Sequence, residues 1–292
     1  MDESNKTQEL VNQIIEQINA SEIRSIKTVM LNIISTLNNP GSTIKDLKDA
    51  IQLDPPLSAK VLRIANSAYY SPRSRIDELE KAVVWLGFST VRELALSQKA
   101  GEMFLSGDSE SPFSRSELWK HSVAVALFNK AFQRKEFGNT GENAYISGLL
   151  HQIGLIATCQ IMPEKFSSIL EYAETKKKNI FKAEQEILGI DHALIGKAII
   201  ENWGLSEEMS IAIGYHHQPY LSPKTHLRNV TTLYISDYIC QLERIGFRDA
   251  PYPDEDVFEK SLTGIKTHFR SLETIAEEVK TQITKMAEEG LF

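Results

Sequence analysis

The stretch ENAYISGLLHQIGLIA, residues 142–157, decides how the rest of the chain is read. It opens polar, continues as small and large apolar residues, and carries an adjacent His151-Gln152 pair ahead of Gly154. Neighbouring residues on an α-helix sit about 100° apart. One continuous helix over residues 142–160 therefore lets His151 and Gln152 both reach into one cavity, with Leu149, Leu150 and Ile153 packed around them. That is how a buried ligand pair is built.

Outward from this stretch the pattern is helix after helix. Apolar residues recur at spacings of three and four over residues 8–18 and again over 25–37, where Asn38-Asn39-Pro40-Gly41 ends the run. Ser42 or Thr43 caps the next helix, Asp46 completing a capping box with Thr43, and Pro55-Pro56 opens another that ends near Asn66. A helix over 76–86, a break at Gly87 and a helix over 91–103 capped by Ser89 or Thr90 follow, with Trp85 and Phe88 read as core anchors. Residues 105–116, rich in Ser, Gly and Asp, mark a boundary between two halves. Beyond it, helices are expected over 117–137, 163–176, 179–188, 193–203, 207–216, 227–246 and 256–289. Lys176-Lys177-Lys178 falls at a helix end, where it complements the negative pole of the dipole. No stretch alternates apolar and polar residues over five or more positions, so no sheet is expected and the fold class is all-α.

Composition narrows the function classes. The chain has 292 residues, 42% hydrophobic and 24% charged, which suits a folded globular protein. A formal charge of −7 and a pI near 5.6 argue against general binding to nucleic acid, which leaves a basic footprint. The start, MDESNKTQEL, has neither a basic nor an apolar leader region, and no apolar run was read as long enough for a membrane span; the expected location is the cytoplasm. Cys159 and Cys240 are the two cysteines and read as buried free thiols. None of the common phosphate-loop, dinucleotide, nucleophile-elbow or H-E-x-x-H patterns occurs.

Several motifs together resemble one family. GLLHQIG is similar to the GLLHDIGK signature of the HD superfamily of metal-dependent phosphohydrolases. With LWKHSVAVA around His121, DHALIGKAIIENWGL around His192 and AIGYHHQP around His216 and His217, the order resembles the HDOD branch (HD-related output domains). The segment SIKTVMLNIISTLNNPGSTIKDLKDAIQLDPPLSAKVLRIANSAYY, followed by IDELEKAVVWLGFSTVRELAL, is similar to the helical part that precedes the HD-like part in that family. The resemblance runs from about Arg24 to about Pro219. It implies a helical bundle: an N-terminal helix (1–23), an N-terminal helical subdomain (24–112), an HD-domain-like core (113–225) and C-terminal helices packed on that core (226–292).

A metal needs ligands converging from different helices. His121, His151, His192, His216, His217 and Asp237 lie on five separate predicted helices or helix ends, and imidazole suits iron, zinc, nickel or copper. In the related HD-GYP branch, similar positions supply a carboxylate-bridged di-iron site, and Asp237 in TTLYISDYIC looks like that family's last metal-binding Asp. The resemblance thus implies a pocket for iron or another transition metal. Two departures bear on activity. Gln152 stands where the family pair has Asp, and a neutral amide neither bridges two cations nor balances their charge; Leu155 stands where HD-GYP proteins carry Lys. No residue is therefore expected to be catalytic.

The reading that results is a non-catalytic module of bacterial signalling that acts through protein contacts in trans, the chain being short for a second signalling domain. Candidate contact surfaces are the basic SPRSR loop and the acidic C-terminal helix. Two alternatives stand beside it. One is a phosphohydrolase or phosphodiesterase acting on a nucleotide or cyclic dinucleotide, which is also the candidate ligand of a pocket that binds without hydrolysis. The other is a DNA-binding regulator using the helix that carries Lys60, Arg63 and Asn66, in a window (residues 42–75) with a net charge of +3.

Overall fold

The computed structural model describes residues 3–21, 27, 28, 30, 31, 43–67, 70–105, 113–247, 249 and 255–288. It is all-α, with no strand among the described residues. The chain divides into two compact units, Met1–Ser21 with Phe104–Ile283 and Glu22–Met103 with Thr284–Phe292.

The chain opens with α1 (Glu3–Ala20), which buries Val11, Ile14 and Ile18. The smaller unit contains α2 (Ile44–Gln52), α3 (Pro55–Ala65), α4 (Leu79–Leu86) and most of α5 (Phe88–Leu105). Thr43 and Asp46 cap each other at the start of α2, and the Asp54 carboxylate accepts from the Leu57 amide at the start of α3. The expected helix over residues 25–37 lies largely outside the described residues; Lys27, Thr28, Met30 and Leu31 are helical. Much of the expected boundary at 105–116 lies outside them too. Trp85 is not a core anchor. The residues α4 buries are Ala82, Val83 and Leu86, and helical geometry turns Val84 and Trp85 to the opposite side, leaving them 64% and 47% exposed.

The larger unit is built on α6 (Arg115–Phe137), α7 (Glu142–Leu150), α8 (Ile153–Ile161), α9 (Pro163–Lys176), α10 (Ile180–Leu188), α11 (His192–Asn202), α12 (Glu207–Gly214) and α13 (Leu227–Leu242), followed by α14 (Glu255–Ile265) and α15 (Phe269–Glu288). Helix α6 packs on α7 and α13, α12 on α7, α11 and α13, and α8 on α11; α1 lies against α8 and α11. Segment 142–161 has the length and mean hydropathy (1.2) of a membrane span, which corrects the sequence reading, but 83% of its window is buried inside the molecule.

The expected helix over 142–160 is two helices. Gln152 leaves the helical region (φ −95°, ψ 10°), so residues 151–152 form a turn between α7 and α8. The reason is contact with α11: a Cβ on Gly154 would lie 2.0 Å from the His192 carbonyl oxygen, so only glycine permits this approach. The expected helix over 256–289 also breaks. Lys266 adopts φ 57°, and the amides of Lys266 and Thr267 turn back to the carbonyls of Thr263 and Leu262. This Schellman closure recurs at Lys177 after α9 and at Arg244 after α13, each with a non-glycine residue in the left-handed position. Lys178 in the basic run pairs with Glu186.

Gly154→Ala is expected to destabilise the protein by about 3 kcal/mol or more, because the clashing neighbour is backbone. Gly264→Ala, where nothing lies within 4 Å, is expected to stabilise by about 0.5–1 kcal/mol. Urea unfolding of both variants reads the contrast.

Candidate metal centre

Five histidines and one aspartate converge inside the larger unit. They come from α6 (His121), the turn after α7 (His151), the first residue of α11 (His192), the segment just after α12 (His216, His217) and α13 (Asp237). All except the half-buried His217 are at most 2% exposed. They form two trios, His121–His151–Asp237 and His192–His216–His217, in each of which one ligand atom per residue lies within 4.8 Å of the others. The trios are contiguous, since the His216 ring is 5.3 Å from that of His151 and 5.5 Å from that of His192, centroid to centroid.

Hydrogen bonds fix which nitrogen faces inward. His151 Nδ1 donates to the Gly148 carbonyl (2.7 Å) and His216 Nδ1 to Ile213 (2.6 Å), while His121 Nδ1 lies 3.3 Å from the Ile245 carbonyl. His192 Nδ1 donates to the Glu184 carboxylate (2.5 Å). A carbonyl only accepts, so Nδ1 of His151 and of His216 carries the proton and their Nε2 presents a lone pair. Among the described residues, Nε2 of His151 and of His216 is buried with no hydrogen-bond partner. An orphaned buried polar atom costs about 1–3 kcal/mol. At two further places ring nitrogens are paired: His121 Nε2 donates to Asp237 Oδ1 (2.8 Å), and Nε2 of His192 and of His217 lie 2.8 Å apart and share one proton. A cation bound there takes the place of those protons.

Electrostatics set the charge of most of these groups. Burial, followed by mutual repulsion among the rings, holds His151 and His217 well below the usual imidazole range; burial and His192 bring His216 to about 4. Burial opposes the charge on Asp237, but the His121 hydrogen bond and the nearby rings outweigh it and keep the carboxylate ionised. Burial likewise opposes the charged form of His192, and the charge of Glu184 and its hydrogen bond outweigh that. Neutral His151, His216 and His217 beside the ionised Asp237 are donors a transition metal takes, and a bound cation would compete with the proton that Glu184 favours on His192. The residues present therefore fit a metal ion.

Glu184 was missed in the sequence. It is fully buried on α10 and also accepts from the His192 backbone amide (2.9 Å), fixing both the ring and the start of α11. Its signal was an acidic residue on the apolar stripe Ile180, Phe181 and Ala183. The Gly148, Ile213 and Ile245 carbonyls leave no sequence signal at all. Gln152 is buried next to the site, with Oε1 lacking a partner among the described residues. Of the residues suggested for DNA contact, Asn66 spends its amide on the backbone of Leu62 and Ile76, Lys60 is half-buried and Arg63 is exposed. Cys159 and Cys240 are both buried and free.

An all-helical fold whose core carries two adjoining histidine trios defines an HD-related domain. The HDOD domain family model matches residues 23–219, and the chain belongs to that family. An HDOD domain protein of unknown function from Geobacter sulfurreducens superposes with a TM-score of 0.73 at 28% identity, covering 89% of each chain. A proposed phosphohydrolase from Shewanella amazonensis SB2B has a TM-score of 0.67 at 24% identity, covering 90% of each chain, and shares the fold. An uncharacterised protein of Treponema pallidum is 24% identical over 257 residues; the match takes in 86% of this chain and 47% of that protein, so the chain spans about half the length of the curated relative it matches.

The contribution of His216 to the stability of the metal-free protein is expected to fall between pH 6.5 and pH 4. The unfolded His216 ring takes a proton near pH 6.5 and the folded one only near 4, so in that window the unfolded state holds more protons and falling pH favours it. At pH 5 this amounts to on the order of 2 kcal/mol, with His151 and His217 adding in the same direction. Two groups work the other way: burial raises Asp249 to about 7, and the charge of Glu184 outweighs burial to raise His192, so both favour the folded state as pH falls. Urea unfolding of the protein and of His216→Ala at pH 6.5 and 5.0 isolates the His216 contribution; the protein is expected to lose more stability than the variant, and an equal change in both would contradict the assignment.

Proposed function

We propose that this protein is a non-catalytic regulatory module of bacterial signal transduction, acting through contacts with signalling proteins in trans, with a transition metal such as iron held in the histidine pocket. The observation that supports this most is the burial of the donor set around a single ionised carboxylate. A phosphoryl substrate has to reach the metal, and His121, His151, His192, His216 and Asp237 are closed off from solvent. His121, His151 and Asp237 would hold one ion, and His192, His216 and His217 are the donors for a second.

When bound, such a metal supplies Lewis acidity that can lower the pKa of a coordinated water from about 15.7 toward 7. Hydrolysis of a phosphodiester needs that water, cations on the phosphoryl oxygens and a group bridging them. Here Gln152 offers an amide in place of the second carboxylate of the HD pair, and Glu184 is committed to His192. The chain's own groups therefore bind and orient an ion, and leave it enclosed.

The adjoining trios favour a second reading, a two-metal phosphodiesterase for a nucleotide or cyclic dinucleotide. The readings separate in one assay. Protein loaded with Fe(II) or Mn(II) is expected to release no phosphate from nucleotides, no nitrophenol from bis(4-nitrophenyl) phosphate and no linear product from cyclic di-GMP above the free-metal background. Turnover above background that is lost in Asp237→Asn would replace the regulatory reading by the enzymatic one.

A further inference from the structure

A second polar site lies in the same unit, in a recess of about 270 Å³. Its walls are Asn129 and Gln133 of α6, Asn143 of α7, Glu208 of α12 and Asn229 of α13. These helices also carry or lead into His121, His151, His216 and Asp237. Asn129 is eight residues from His121, Glu208 eight from His216 and Asn229 eight from Asp237, about 12 Å along the helices, while Ser147 and Ala212 on its inner side lie one turn from His151 and His216. None of the six candidate metal ligands lines it.

The hydrogen bonds there fix how the side chains point. The Gln133 amide donates to Asn229 Oδ1 (3.1 Å) and Thr232 Oγ1 (2.8 Å). Asn139 donates to Gln133 Oε1 (2.7 Å). Asn143 donates to Glu208 Oε2 (2.9 Å), and Asn229 donates to Glu208 Oε1. Asn129 donates to the Ala144 carbonyl (3.0 Å), which fixes its orientation, because a carbonyl only accepts. Each of these four asparagines turns one N–H to a protein acceptor, and the charged group of the network is the carboxylate. Asn129 is 1% exposed, and its Oδ1 has no hydrogen-bond partner among the described residues. Glu208 still has lone pairs on both carboxylate oxygens after accepting one bond on each. The described lining holds two acidic side chains, Glu142 and Glu208, and no lysine or arginine.

A carboxylate with no lysine or arginine beside it in the described lining, next to a buried acceptor without a donor, favours a small ligand that donates hydrogen bonds and carries positive charge. We propose that the recess binds a small protonated amine, with Glu208 as its counter-ion and Asn129 Oδ1 as a second acceptor. Its volume is below the roughly 300 Å³ at which drug-sized pockets begin, which suits an amine of a few carbon atoms. A buried ammonium needs a paired carboxylate and a full set of acceptors, and those are the groups the recess leaves open.

The test is calorimetric titration and thermal unfolding of the full chain with ethanolamine hydrochloride and with putrescine dihydrochloride. Tetramethylammonium chloride, which has the charge but no N–H, and sodium acetate are the controls at matched ionic strength. Saturable binding and a raised Tm are expected with at least one of the two amines and with neither control. Glu208→Gln and Asn129→Leu, each checked for native helix content, are each expected to weaken binding by about tenfold or more; whichever folds suffices. No saturable binding of either amine at millimolar concentration would overturn the proposal. So would equal binding of tetramethylammonium, or amine binding unchanged in the folded variants.

Discussion

The close passage of Gly154 against the His192 carbonyl sets where the other groups of the pocket lie. A methyl group at residue 154 would occupy the same space as backbone, so α8 and α11 touch only because residue 154 has no side chain. Two residues before it the chain turns at His151-Gln152, and His151 stands at the end of α7, where its Nδ1 finds the Gly148 carbonyl. The contact also brings the first residue of α11, His192, up to His216 and His217. The pocket is thus a consequence of one interhelical distance.

Once the rings are together, burial controls their chemistry. Burial and the repulsion of charged imidazoles so close together keep His151, His216 and His217 neutral, and Nδ1 of His151 and of His216 is committed to a carbonyl. The Nε2 lone pairs of those two rings are left pointing inward with no donor among the described residues. In a stable core such atoms are paired. Their retention here, beside an ionised Asp237, is the physical argument for an ion. The same burial separates this site from an open phosphohydrolase centre, where substrate has to reach the metal.

Much of this was legible in the sequence. The 3.6-residue periodicity gave the helices, the Thr43–Asp46 pattern gave a cap the structure contains, and the motif order carried the family. Breaks were harder. Nothing local in HQIGLIA reports that Gly154 meets another backbone, because that contact is 38 residues away in sequence, at His192. Lys266 takes a left-handed conformation that propensity does not assign to lysine, so α14 and α15 read as one helix. Trp85 read as core because it is large and apolar, whereas α4 has room for only one buried face. The six candidate ligands could be named from the motifs. Glu184 and the three carbonyls that orient the rings could not, since their role exists only after folding.

Elemental analysis of protein purified without chelator, beside a His151→Ala, His217→Ala double variant, tests the central claim most directly. Near-stoichiometric iron or another transition metal in the wild type, lost in a variant that keeps its helix content, is the expected result. A metal-free wild type that takes up no added iron, manganese or zinc, with a variant that is equally stable, would contradict it and leave the histidines as packing alone.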